Sequence, residues 1–305
     1  MSDLHDLANS IGDDIKAFAL AVADILQPPP PPPPPAPVIN RWFTDASYLN
    51  TPVPDAPTIS PNSSTWISLL LSKWTTLFSN GLDANTFNGA VGAWSSTVYY
   101  STTSTPIISM LETRTGKTWT VPMDPTWKPA PGDNHMAVIE PTGQVWEYQG
   151  LNVGAKTCQG VCHVTNVTTG DGASSSTCYV SDIPAPAGLI RPEDIAAGVI
   201  PHALHLISNV WSPEWVYPAA HSDGKQTGGI PMGSRLWLPR SVSLSGLNQY
   251  QTMVATALQE FGGYAGDSGG AFTVPFQSTA DGVTKYPFTS LTLPLSIISQ
   301  LKVLA

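Results

Sequence analysis

Eight consecutive prolines, Pro28 to Pro35, followed by Ala36 and Pro37, divide this chain in two. Proline has no backbone N–H and a fixed φ, so the run settles into a polyproline II rod, about 25 Å long at ~3.1 Å per residue, that joins neither neighbour's core. Residues 28–37 are therefore a spacer between an N-terminal segment, residues 1–27, and a globular body, residues 38–305.

The segment before the spacer carries a supercoil seam. Met1, Leu4, Ala8, Ile11, Ile15, Phe18, Val22 and Ile25 recur at alternating steps of three and four, the a/d stripe of a coiled coil. Ser2 suits the N-cap, and Asp3 and Asp6 complement the positive end of the helix dipole. One amphipathic helix on a stiff stalk cannot cover its own stripe, so self-association is expected. Ile15 and Val22 at a, with Ile11, Phe18 and Ile25 at d, favour a homotrimer, with a dimer as the alternative.

Ala21-Val22-Ala23 imitates a signal-peptide cleavage site, but Asp3, Asp6, Asp13 and Asp14 oppose a single Lys16 where a secretory leader is positively charged. No apolar run is long enough for a transmembrane segment. Charged residues make up 11% of the chain, net charge is −9, and Lys and Arg total 13, so there is no basic stripe and no nucleic acid partner is expected.

The body reads as mainly β with a few helices. Trp66, Leu69, Leu70, Trp74 and Leu77 make one amphipathic helix over 64–78, and a second runs over 247–261 to Gly262-Gly263. Arg191-Pro192-Glu193-Asp194-Ile195 opens a short helical turn ended by Gly198. Strands are expected at 95–100, 118–121, 136–140, 145–149, 178–180, 234–238 and 270–274, with a hairpin closed by Pro141-Thr142-Gly143. Many short strands between Pro and Gly breaks point to a jelly-roll-like β-sandwich.

The opening Met1-Ser2-Asp3-Leu4-His5-Asp6-Leu7-Ala8-Asn9-Ser10-Ile11-Gly12-Asp13-Asp14-Ile15-Lys16, followed by a stalk and a globular end, resembles minor tail or tail-fibre proteins of phages that infect actinobacteria. From about Asp45 onward the body is similar to a group of secreted actinobacterial proteins of unclear function. The similarity lies in Gly132-Asp133-Asn134-His135-Met136, residues 187–195, His202-Ala203-Leu204, residues 230–236 and Gly266-Asp267-Ser268-Gly269-Gly270. The first resemblance implies a virion protein; the second supplies no mechanism.

Gly266-Asp267-Ser268-Gly269-Gly270 also matches the nucleophile motif of chymotrypsin-like proteases, and Ala219-Ala220-His221 imitates their histidine motif. In that fold the interval from His to Ser must hold the rest of one barrel, the triad Asp and most of a second barrel, and residues 221–268 are too few. His135 is far enough upstream, with Asp182 or Asp194 between, but lacks the family context. A Gly-rich turn opening a strand is the expected structure, and a serine protease is not. Cys158, Cys162 and Cys178 suggest one disulfide, Cys158 or Cys162 with Cys178, with thiols as the alternative. Adding His163 gives a zinc ligand set of unusual spacing, and neither a metal nor a cofactor is expected.

Trp211, Trp215, Tyr217, His221 and Arg235, with Trp146 and Tyr148 on the hairpin, are the glycan-binding candidates, because aromatic faces stack on sugar rings. A large sandwich also buries tryptophans in its core, and there are ten here. For catalysis the candidates are Asp133, His135, Asp223 and Asp267, with His202, each in a turn at an element end where functional groups are presented. Asx-turns and caps use the same residues. Glycoside hydrolysis would need two facing carboxyls from a set that also includes Glu140, Glu147, Glu193, Asp194 and Glu260.

These readings converge on a homotrimeric virion tail protein, made in the host cytoplasm and facing outward. Residues 1–27 would attach to other tail proteins, and the body would meet a host cell-surface glycan, three copies adding avidity. A cell-wall glycan depolymerase and a purely architectural virion decoration are the alternatives.

Overall fold

The structure, a computed structural model, describes residues 41–78, 87–90, 92–164, 166–172, 181–184, 186–269, 272–289 and 291–305. Residues 39–305 form one unit, separate from 1–38. The expected N-terminal helix, its coiled coil and the stalk lie outside the described residues, as do Cys178 and the strand expected at 178–180.

In chain order the elements are α1 (Ser63–Phe78), β1 (Phe87–Ala90), β2 (Ser96–Tyr100), β3 (Ile107–Glu112), β4 (Thr118–Pro122), β5 (His135–Ile139), β6 (Val145–Gln149), β7 (Thr157–Cys158), β8 (Gly160–Val164), α2 (Pro192–Ala197), β9 (Leu204–Ile207), β10 (Trp211–Trp215), β11 (Ile230–Met232), β12 (Arg235–Trp237), α3 (Gln249–Glu260), β13 (Gly263–Asp267), β14 (Thr273–Pro275), β15 (Thr292–Leu293), α4 (Leu295–Ile298) and β16 (Lys302–Val303). The body is β-rich, as expected. A seven-stranded sheet runs β15-β1-β14-β9-β13-β12-β16, a four-stranded sheet β2-β5-β6-β8, a three-stranded sheet β4-β3-β7, and β10 pairs with β11. Jelly rolls are antiparallel. These sheets are mixed: β9 with β13, β2 with β5 and β1 with β14 run parallel, which the expected sandwich did not include.

Three cores hold the layers together. One face of the seven-stranded sheet packs with Ile67 and Leu70 of α1 and Met253, Val254, Ala257 and Leu258 of α3. The four-stranded sheet lies between the other two cores: Val98, Ala137, Ile139, Val145 and Cys162 meet Ala203 and Tyr264, while Met136, Val138, Tyr148 and Val161 meet Met110 and Val121 of the three-stranded sheet. A strand buried on both faces needs no polar alternation. That is why all five residues of β5 are buried, including His135.

Local chemistry fixes several boundaries. Asn248 caps α3 by accepting from the N–H groups of Tyr250 and Gln251, and Gln251 returns a bond to the Asn248 N–H. The hairpin of β5 and β6 turns at Gly143, φ +88°, whose N–H reaches the Glu140 carbonyl. At α2, Arg191 and Asp194 form a buried ion pair, Nη2 to Oδ1 2.7 Å, joined by His202 Nε2 at 3.4 Å from Asp194 Oδ2. Trp42 covers the guanidinium, with its ring centroid 4.8 Å from Cζ. His202 and Asp194 therefore serve the α2 corner, where Glu193 lies exposed in the first turn.

Candidate functional site

The centre of the seven-stranded sheet is built from a strand that reads as a break. β13 is Gly263-Tyr264-Ala265-Gly266-Asp267, beside β9 with Tyr264 opposite His205. A Cβ on Gly266 would lie 2.2 Å from His205 Cε1, so only glycine leaves room for the imidazole. The register then shifts between Ala265 and Asp267, which brings Asp267 opposite Ile207. Such bulges re-aim side chains. Here the Asp267 carbonyl accepts from Trp211 Nε1 at 2.6 Å, while its Oδ1 accepts from the Ser268 N–H at 2.9 Å.

The four catalytic candidates converge on this point electrostatically. Burial pushes the Asp267 carboxyl from 3.8 up to about 7, aided by the charges of Asp223 and Asp133 and opposed by the Ser268 N–H. Burial lowers His135, against the raising influence of Asp133 and a backbone bond to Tyr148. His205, which sequence reasoning left out, is held at about 4 by burial and by His135. Asp133, His135, His205, Asp223 and Asp267 are thus linked electrostatically, with His135 and His205 buried, Asp267 half-buried, and Asp133 and Asp223 exposed. Exposed Trp94 adds an aromatic face at its edge, lying over Gly132, where a Cβ would be 2.8 Å from its ring.

A second grouping lies on the loop after β10. Trp215 and Tyr217 are 53% and 67% exposed, with Val216 between them exposed as well. His221 stacks on Trp215, ring centroids 6.2 Å apart and planes at 28°. His221 Nδ1 lies 2.5 Å from Asp182 Oδ2; the Asp182 side chain is 8% exposed and that of His221 65%. Asp182 sits at φ +60°, a left-handed position that a short polar residue tolerates. Tyr217 also borders a groove of about 640 Å³ with Tyr264, Arg235 and Trp66. Asp223 follows His221 by two residues, no more than about 7 Å along the chain, and links the loop to the Asp267 cluster.

Of the seven glycan candidates, the fold presents Trp215, Tyr217 and His221 together and places Arg235 in the adjoining groove. Arg235 is itself engaged, donating to the Phe261 and Thr51 carbonyls and lying over Tyr264. Trp211 and Tyr148 are instead core residues with no exposed surface, and Trp146 is half-buried with its Nε1 donating to Glu140 at 2.6 Å. Trp211 is corrected from glycan candidate to core residue, and Tyr148 and Trp146 correct the reading of the hairpin as a sugar-stacking surface. Its outward face is taken by the three-stranded sheet. Cys158, on β7 of the three-stranded sheet, and Cys162, on β8 of the four-stranded sheet, are buried thiols in separate cores, so neither bridges the other; burial pushes Cys158 up to about 11. Asp182, His205 and Trp94 are the residues that sequence reasoning missed as members of a site. Nothing local marks them, since each acquires its neighbours from other elements. No family model, curated protein or solved structure matches this chain.

Proposed function

We propose that this chain is a virion tail protein of a phage infecting actinobacteria, and that its body binds neutral glycan on the host envelope. Residues 1–27 associate as a trimeric coiled coil and residues 28–37 act as the stalk. The observation that carries the reading is the exposed aromatic surface of Trp215, Tyr217 and the stacked His221, opening onto the groove beside Tyr264. Exposed aromatic clusters of this size mark contact sites, and flat rings match the apolar faces of sugars. Asp182 and Asp223 flank the surface and disfavour polyanions.

Binding of the full chain to host cells and to purified wall polysaccharide tests this. Trp215→Ala and Tyr217→Ala each weaken binding on the order of tenfold, as for central aromatic anchors. Undiminished binding by the double variant would sink the reading.

One observation favours a second reading, a glycoside hydrolase. Asp267, raised to about 7 by burial and by Asp223 and Asp133, has the elevated carboxyl that an acid catalyst uses. Oligosaccharide release, lost in Asp267→Asn with binding retained, is the expected result if the cluster cleaves. Absence of release from wall polysaccharide by the wild type removes this reading.

A further inference from the structure

The Asp182–His221 pair has more order than sugar stacking needs. The two residues come from separate segments, and the Ala220 N–H donates to the Ser181 carbonyl at 2.9 Å, one residue before each partner. A main-chain clip therefore holds the side-chain bond. With Nδ1 donating to the Asp182 carboxylate, Nε2 carries the lone pair, and the ring is exposed, with no hydrogen bond to Nε2 among the described residues. Trp215 fixes the ring plane from the side. A buried carboxylate, an oriented imidazole and an open basic nitrogen are the parts of a general base.

We propose that His221 is the general base of an esterase site that removes acyl groups from the glycan held on Trp215 and Tyr217, with Asp182 as its positioning residue; this rests on the glycan-binding reading above. Nε2 takes a proton from water as the water oxygen bonds to the ester carbonyl carbon. The tetrahedral adduct collapses with rupture of the bond between that carbon and the sugar oxygen, and the departing alkoxide recovers the proton from Nε2. One ester and one water become one carboxylic acid and one sugar hydroxyl, and the imidazole is regenerated. Asp182 stays ionised and stabilises the imidazolium between the two proton transfers.

The choice of an ester follows from the same contacts. A glycosidic acetal has no carbonyl for base-generated hydroxide to attack and requires an acid and a carboxylate on opposite sides of the bond. His221 is held by Asp182 and Trp215, and one imidazole can serve both halves of ester hydrolysis. Anionic substrates such as uronates or phosphates would meet the negative charges of Asp182 and Asp223.

The test uses the full chain with 4-nitrophenyl acetate and with chemically O-acetylated wall polysaccharide, scoring released acetate across pH. The expected result is turnover above buffer. His221→Gln should lower kcat by about 10² to 10⁴-fold. Asp182→Asn should lower kcat with KM unchanged, because the amide can hold the ring but cannot stabilise the imidazolium. No acetate release by the wild type, or full activity in His221→Gln, overturns the proposal. The wild-type chain separates the two readings: polysaccharide binding without acetate release from either substrate leaves glycan binding standing and removes the esterase, whereas absence of polysaccharide binding removes both.

Discussion

Asp267 and His205 lie in one neighbourhood, and the fold moves their protonation in opposite directions. Burial first, then Asp223 and Asp133, raise Asp267 to about 7, so between about pH 4 and 7 the folded chain holds a proton that the unfolded chain has lost. Its stabilising contribution is present in acid and disappears as pH rises through that interval. His205, lowered by burial from 6.5 to about 4, does the reverse: the unfolded ring takes the proton first, and stability is lost as pH falls through the same range. The two slopes offset one another in the wild type. Asp267→Asn removes one of them, so between about pH 4.5 and about 6.5 its stability should fall on acidification more steeply than the wild type's by about 1.4 kcal/mol per pH unit. Urea titrations at several pH values measure this, and parallel curves for the two proteins would contradict the assignment. Asp133, His135, Asp223 and Asp267 were legible as residues at turn-flanked element ends. His205 was not, because a histidine between Leu204 and Leu206 reads as an ordinary core position.

Among the elements, those with local signatures were readable and those made by their neighbours were not. The α1 helix follows its apolar spacing, α3 ends at its Gly262-Gly263 stop, and the β5–β6 hairpin follows its Pro-Thr-Gly turn. β9, β10 and β13 were missed. Glycine is depleted in strands and usually marks a break, so Gly-Tyr-Ala-Gly-Asp offers no strand signal of its own. It is a strand because β9 and β12 supply partners on both sides and because His205 and Leu206 occupy the space that Cβ atoms on Gly266 and Gly263 would need. Gly266→Ala should therefore destabilise the body by about 1–3 kcal/mol or more, the range for overpacking a filled core. Gly246→Ala gives a contrast: it meets no atom within 4 Å, so its cost is confined to the backbone at φ +87°. Equal loss in denaturant midpoint for the two variants would mean that the imidazole above Gly266 is not closely packed.

For the whole molecule, the sequence-based expectation of self-association through residues 1–27 makes its own prediction. The full chain should sediment as a trimer at micromolar concentration, and deletion of residues 1–27 should yield a monomer; a monomeric full-length chain would end the anchor proposal. Within the body, three cores stacked across the seven-, four- and three-stranded sheets bring distant segments into register, and the candidate sites lie where those segments meet. His221 and Asp182 are 39 residues apart in sequence, and Trp211 and Asp267 are 56 apart. What the sequence determined by itself was whatever depends on a residue and its immediate neighbours: the division at the proline run, the heptad stripe, the helix caps, the hairpin turn and the β-rich character. Proline's missing donor, a side chain that caps its own helix and a 3.6-residue spacing act the same way in any surroundings. Only the tertiary structure decided that the sheets are mixed, that Trp211 and Tyr148 are core while Trp215 and Tyr217 are surface, and that Asp182 meets His221. Those outcomes depend on which faces pack together across long stretches of chain, and packing is a property of the assembled layers that no local pattern encodes.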